Sequence, residues 1–153
     1  MKADDAAFEK RLAQLRGVAV GVVADSIPDE RGTASIVFEF SDGTLLNAAY
    51  WRFIQDGLAQ LSSFDHQQKY GLPTPIDAKM RIITFLDGKL CREVIFDGET
   101  GDLVLIFDES TKLQVLNLTG YEIWTIRFPD GTVEYSNYAL PPSANDEELA
   151  VLW

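Results

Sequence analysis

The side chains able to do chemistry are few and scattered. His66 is the only histidine and Cys91 the only cysteine in 153 residues. Asp65 beside His66 suggests a general base, and His66 with Cys91 a nucleophilic dyad. Neighbouring side chains on an extended chain point apart, however. Cys91 stands in the strand-like stretch Lys89 to Phe96, and the reactive microenvironment that a catalytic thiol needs is not visible there. His66 is therefore expected to be a loop histidine without a role. Asp97, Glu99 and Asp102 could offer oxygens to a hard cation, but the further ligands and closing bidentate glutamate of a calcium loop are missing, so a solvated turn is expected. One Cys and one His cannot make a zinc site. Glu39 with Glu122, or Glu122 with Glu134, would do glycosidase work only at separations of about 5–9 Å, and an acidic chain produces such pairs by chance. No phosphate-cradling glycine loop or nucleophile elbow occurs. The expectation is no catalytic residue, no metal and no cofactor.

Aromatic residues make the other candidate set. Tyr50, Trp51, Tyr121, Trp124, Tyr135 and Tyr138 could form a binding face, although aromatics in strands more often pack across strands. Arg52 and Arg127, close behind the first two tryptophans, would then stack or pair within the domain.

These residues must be held by a repeated pattern. Gly101 to Gly131 spells three strands, ending in Trp124 to Phe128 and a Pro-Asp-Gly turn. Ile36 to Gly57 is a fainter copy, with Trp51-Arg52-Phe53 before Asp56-Gly57. Upstream of the first copy, Phe8, Leu12 and Leu15 recur at helical spacing, Asp4 and Asp5 can cap, and Gly17 stops the helix. Upstream of the second, residues 77–87 suit either a helix capped by Asp77 or a hairpin at Asp87-Gly88. Aligning Gly17 with Gly88 puts Leu12 on Ile83 and Leu15 on Leu86, with Met80 on the same face, and so selects the helix. Offsets between the halves are similar: 71 from Gly17 to Gly88, 67 from Phe40 to Phe107, 73 from Trp51 to Trp124 and 74 from Gly57 to Gly131. The changes fall mainly in turns.

The pattern predicts an α+β fold in one domain, a tandem α-β-β-β duplication with repeats at about 5–57 and 76–138 and a connection at about 65–75. Thr44 to Gln55 reads as one strand bent near Ala48-Ala49. Leu103, Leu105 and Phe107 alternate with Val104 and Ile106, apolar on both faces, as in a central strand. The sheet is expected to be mostly antiparallel, or two packed sheets, with two short helices on one face. Residues 141–153 read as a polar break and a short acidic helix or tail.

Composition narrows function without defining it. Lys and Arg number 13 against 24 Asp and Glu, a formal charge of −11. Such a field repels phosphate backbones and anionic lipid and speeds encounter with a basic partner. Nucleic acid and membrane are therefore not expected as partners. The lone cysteine, the absence of a signal-peptide pattern and the lack of a long apolar run suggest a cytoplasmic protein.

At Gly101-Asp102-Leu103-Val104-Leu105-Ile106-Phe107, Leu113, Tyr121-Glu122-Ile123-Trp124 and Pro129-Asp130-Gly131, the chain resembles small uncharacterised bacterial proteins with a G-D-L-x-L-x-F, Y-E-x-W and P-D-G pattern, some of them immunity-protein-like. The resemblance covers the second half; Asn47 to Trp51 departs from it. It implies a non-enzymatic acidic domain that binds a basic protein such as a toxin domain. The competing expectation is a small-ligand or carbohydrate-binding module, or a weak hydrolase, built on Trp124 and Glu122. Tyr121, Glu122, Trp124 and Asp102 are the candidate binding residues. A sheet edge left by an imperfect duplication could also pair with a second copy, giving a homodimer.

Overall fold

The computed structural model describes residues 3–24, 33–118 and 123–136. The tail 141–153, and Tyr138 of the aromatic set, lie outside them.

Helix α1 (Ala3–Leu12) continues into a 3-10 turn, and together they bury Phe8, Leu12 and Leu15. Asp4 and Asp5 lie in its first turn rather than before it. Strands β1 (Val18–Ala24), β2 (Ile36–Phe40), β3 (Leu45–Ala48), β4 (Trp51–Gln55) and β5 (Leu58–Ser62) follow. Helix α2 (Ala78–Leu86) begins the second half, with the Asp77 carboxylate accepting from the Met80 amide at 3.0 Å, as the helical reading of this stretch requires. That cap sets the phase of the helix. Ala78, Ile82 and Leu86 are buried and Ile83 partly so, while Met80 is 59% exposed. The expected place of Met80 on the apolar face is thus corrected: alanine at 78 begins the buried stripe, and Met80 falls on the opposite side.

The second half continues with β6 (Leu90–Cys91), β7 (Glu93–Phe96), β8 (Leu103–Ile106), β9 (Thr111–Val115), β10 (Trp124–Arg127) and β11 (Val133–Tyr135). The fold is α+β, with two sheets paired antiparallel throughout. One runs β11-β10-β3-β2-β1-β6 and the other β5-β4-β9-β8-β7. Their buried faces share one core, from Phe38, Leu46 and Ile126 on the first to Phe53, Leu105 and Leu113 on the second. Strand β8 is internal to its sheet.

The sheet orders reveal how the two repeats combine. Strands β1-β2-β3 of the first repeat are extended by the β10–β11 hairpin of the second, and β7-β8-β9 of the second by the β4–β5 hairpin of the first. The first repeat therefore carries five strands and lends two, whereas the second carries six and lends β10, β11 and the two-residue β6, which pairs with β1. The registers agree residue for residue. A shift of 67 turns the pairs Ile36↔Ala48 and Phe38↔Leu46 into Leu103↔Val115 and Leu105↔Leu113. On the exchanged seams Trp124 stands opposite Ala48, and Trp51 opposite Val115. The stretch Thr44 to Gln55 is consequently two strands in different sheets, joined by Ala49-Tyr50.

The helices are exchanged too. Phe8 of α1 stacks on Trp124 at 6.0 Å and meets Phe96 edge-on at 5.1 Å, while Phe85 of α2 stacks on Phe53 at 4.9 Å. Where the halves cross, the Gly17 amide donates to the Cys91 carbonyl and the Gly88 amide to the Val20 carbonyl, both at 2.7 Å. Donors and acceptors are each 71 residues apart, so these bonds are reciprocal about a pseudo-twofold axis.

Candidate functional site

Trp124 opens β10 with its side chain in the core. It is fully buried, its indole N–H donating to the Gly101 carbonyl at 2.8 Å. An indole with both faces covered and its one donor satisfied offers nothing to a ligand. The expectation of Trp124 as a binding residue is corrected on that ground: it is a packing residue. Asp102, next to that carbonyl, accepts the Asn117 amide at 2.7 Å, and the Asn117 side-chain amide donates to Thr100 O at 3.0 Å. One Asp97 carboxylate oxygen takes the amides of Glu99 and Thr100. The Asp97 to Asp102 loop is thus a self-bonded turn, and no group of three potential metal-binding side chains occurs among the described residues. The structure brings Asp102 and Trp124 together through Gly101. Tyr121 and Glu122 lie outside the described residues.

The first repeat holds the same device. Trp51 is fully buried and donates to the Ala34 carbonyl at 2.6 Å. Ala34 and Gly101 each stand two residues before the strand that follows. Ser63 and Ser136, both buried, come 12 residues after Trp51 and Trp124. Ser63 Oγ accepts the Trp51 amide at 3.1 Å and Ser136 Oγ accepts the Ile123 amide at 2.7 Å. The matched Trp-to-Ser spacing was available in the sequence as a sign that these residues fold the chain.

His66 has a role after all. It is buried, and its Nδ1 accepts the Ala78 amide at 3.1 Å, satisfying an otherwise unpaired donor at the start of α2. Cys91 is fully buried and its thiol donates to Glu93 O at 3.5 Å; burial pushes its pKa up to about 11. A thiol held protonated is no nucleophile. Arg52 Nε donates to Gln114 Oε1 at 2.7 Å across β4 and β9, and in the matching place Asn47 Nδ2 donates to Thr125 Oγ1 at 3.3 Å across β3 and β10.

The solvent-facing surface has two concavities with polar residues in their linings. On the outer face of the five-stranded sheet, a cleft of ≈ 480 Å³ has Ile54 and Ile106 at its base and Arg92, Glu93, Asp108 and Lys112 around it. A shallower concavity of ≈ 370 Å³ on the other sheet is lined by Leu45, Asn47, Thr125, Arg127, Val133 and Tyr135. Carboxylates gather at the hairpin tips. Asp42, Asp108 and Asp130 each accept a main-chain amide two residues on, from Thr44, Ser110 and Thr132 at 2.9 Å. The Ser110 amide holds Asp108 below the usual carboxylate range, helped by Thr111 and Lys89; the Thr132 amide and hydroxyl, and then Arg11, hold Asp130 at about 2. Asp56 and Glu109 are exposed on the tips beside Asp108.

Compared with known proteins, the chain matches no family model, no curated protein and no solved structure. No helix among the described residues is long and apolar enough to cross a membrane.

Proposed function

We propose that this chain is a non-enzymatic, acidic protein-binding domain of the cytoplasm, immunity-like in use, whose partner is a basic protein such as a toxin domain. The observation that carries this reading is the placement of charge. The net −11 is presented in part on hairpin tips, where Asp42, Asp108 and Asp130 are each fixed by the main-chain amide two residues on, so that negative charge is preorganised. Fixed surface charge of one sign raises association rates with a basic partner and rejects acidic ones. Capture from extracts of the native host tests it. A basic protein should be retained at low salt and released as salt rises, and Asp42→Asn/Asp108→Asn should slow its association. Failure to recover any basic protein counts against the reading.

The alternative, a small-ligand or carbohydrate-binding module or a weak hydrolase, no longer has Trp124 as a stacking surface. It keeps one observation in its favour: the concavity where Tyr135, Asn47, Thr125 and Arg127 meet on an open sheet face. Amide shifts confined to these residues on titration with simple sugars would favour it.

A further inference from the structure

The exchanged hairpins point to a partner that needs no new surface, a second copy of this chain. We propose that two copies assemble by repeat exchange, the first repeat of one chain closing on the second repeat of the other, through the same seams that close the monomer.

The seams between repeats are what make either repeat foldable. Strand β3 has β2 on one side and finds its other neighbour in β10 of the second repeat; β9 has β8 and finds β4 of the first. Phe8 of α1 packs on Phe96, Trp124 and Phe128, and Arg11 lies 4.2 Å over the Phe128 ring, all in the other repeat. Arg11 pairs with Asp130 at 2.8 Å and Arg16 with Glu93 at 3.6 Å, again across the boundary. A repeat by itself leaves a projecting hairpin, a three-stranded meander with one open seam and a helix without its core. None of these contacts depends on the two repeats belonging to one chain.

Only the connection between β5 and α2 makes the pairing intramolecular. It is described throughout, and its tip, 67–75, is exposed. It closes on itself through Gln67 N to Ile76 O and Ile76 N to Gln68 O, both 2.8 Å, and donates no strand to either sheet. Opened out, it can span two units, each with the registers of the monomer. The same tether gives the closed monomer an effective concentration on the order of mM, so exchange competes when chains meet at that concentration or when the closed form is blocked.

Full-length chains that complement each other provide the test. Trp51→Asp spoils the first repeat and Trp124→Asp the second, each placing a charge in a fully buried position. Alone, neither can form a native unit, because every unit it makes contains a spoiled repeat. Unfolded together and refolded, one unit in two can combine the intact first repeat of one chain with the intact second repeat of the other. The mixture should regain up to half the wild-type near-ultraviolet circular dichroism, in a particle of twice the monomer mass. A mixture no more folded than its components overturns the proposal. Trp51→Asp/Phe53→Asp with Trp124→Asp/Ile126→Asp replaces the pair if a single aspartate leaves a chain folded. Independently, wild-type chains carrying two different tags, refolded together at about 1 mM, should yield a doubly tagged dimer that is absent at about 1 μM. Monomer alone at both concentrations contradicts exchange.

Discussion

Replacing Trp51 or Trp124 by phenylalanine removes an indole N–H from a buried main-chain carbonyl. Ala34, whose carbonyl Trp51 satisfies, is fully buried, and the Gly101 carbonyl is bonded by Trp124 inside the core. A buried acceptor left unpaired costs about 1–3 kcal/mol. The smaller ring leaves part of the indole volume unfilled, which adds about 1 kcal/mol where the surroundings relax only partly. Each variant should therefore lose about 2–4 kcal/mol, measured by urea unfolding. At about 2–4 °C per kcal/mol for a domain of this size, Tm should fall by about 5–15 °C. Because the two sites occupy matching positions on matching seams, the two losses should agree within about 1 kcal/mol, the scatter of context. A loss below about 0.5 kcal/mol for either variant, the range of surface substitutions, would refute the reasoning.

Further outcomes follow from single residues. Gly101 sits at φ +81° and a Cβ there would meet Asn117 Nδ2 at 2.6 Å and Ser136 O at 3.1 Å, whereas at Gly57 (φ +76°) nothing lies within 4 Å. Gly101→Ala should cost at least about 2 kcal/mol and Gly57→Ala about 1 kcal/mol in the same unfolding assay, the difference being the clash. His66→Leu leaves the Ala78 amide without its acceptor and should cost about 1–3 kcal/mol, with faster amide exchange at the start of α2. Asp130 is held at about 2 in the fold against an ordinary value near 3.8, so the stability it contributes is present above about pH 4 and lost as pH falls through about 2. Asp130→Asn should accordingly be less stable than wild type at pH 7, with the gap closing below about pH 4. Cys91 should resist a thiol reagent at pH 8 in the native state and react fully after denaturation.

Local chemistry made much of this fold legible in the sequence. The Asp-Gly turns marked the hairpins, and the two tryptophans and the helix-ending glycines marked a duplication whose offsets anticipate the observed registers. The exchange of hairpins was hidden for a physical reason. Ala49-Tyr50 carries no turn signal, so β3 and β4 read as one strand, and pairing partners far along the chain leave no mark in local propensity. Met80 was misplaced because alanine at 78 has too little side chain to register as core. The role of His66 was invisible because it consists of accepting one amide 12 residues away. The candidate site was the least legible part: Trp124 reads both as a cross-strand packing residue and as a binding candidate because a β-strand tryptophan suits either face, and only its neighbours decide which.

The most direct test of the exchanged architecture is a set of cross-strand nuclear Overhauser contacts in the folded chain. Contacts linking Asn47 to Thr125 and Arg52 to Gln114, with none joining β3 to β4 as a hairpin, are the predicted result. Contacts pairing β3 with β4, or β9 with β10, within their own repeats would contradict it.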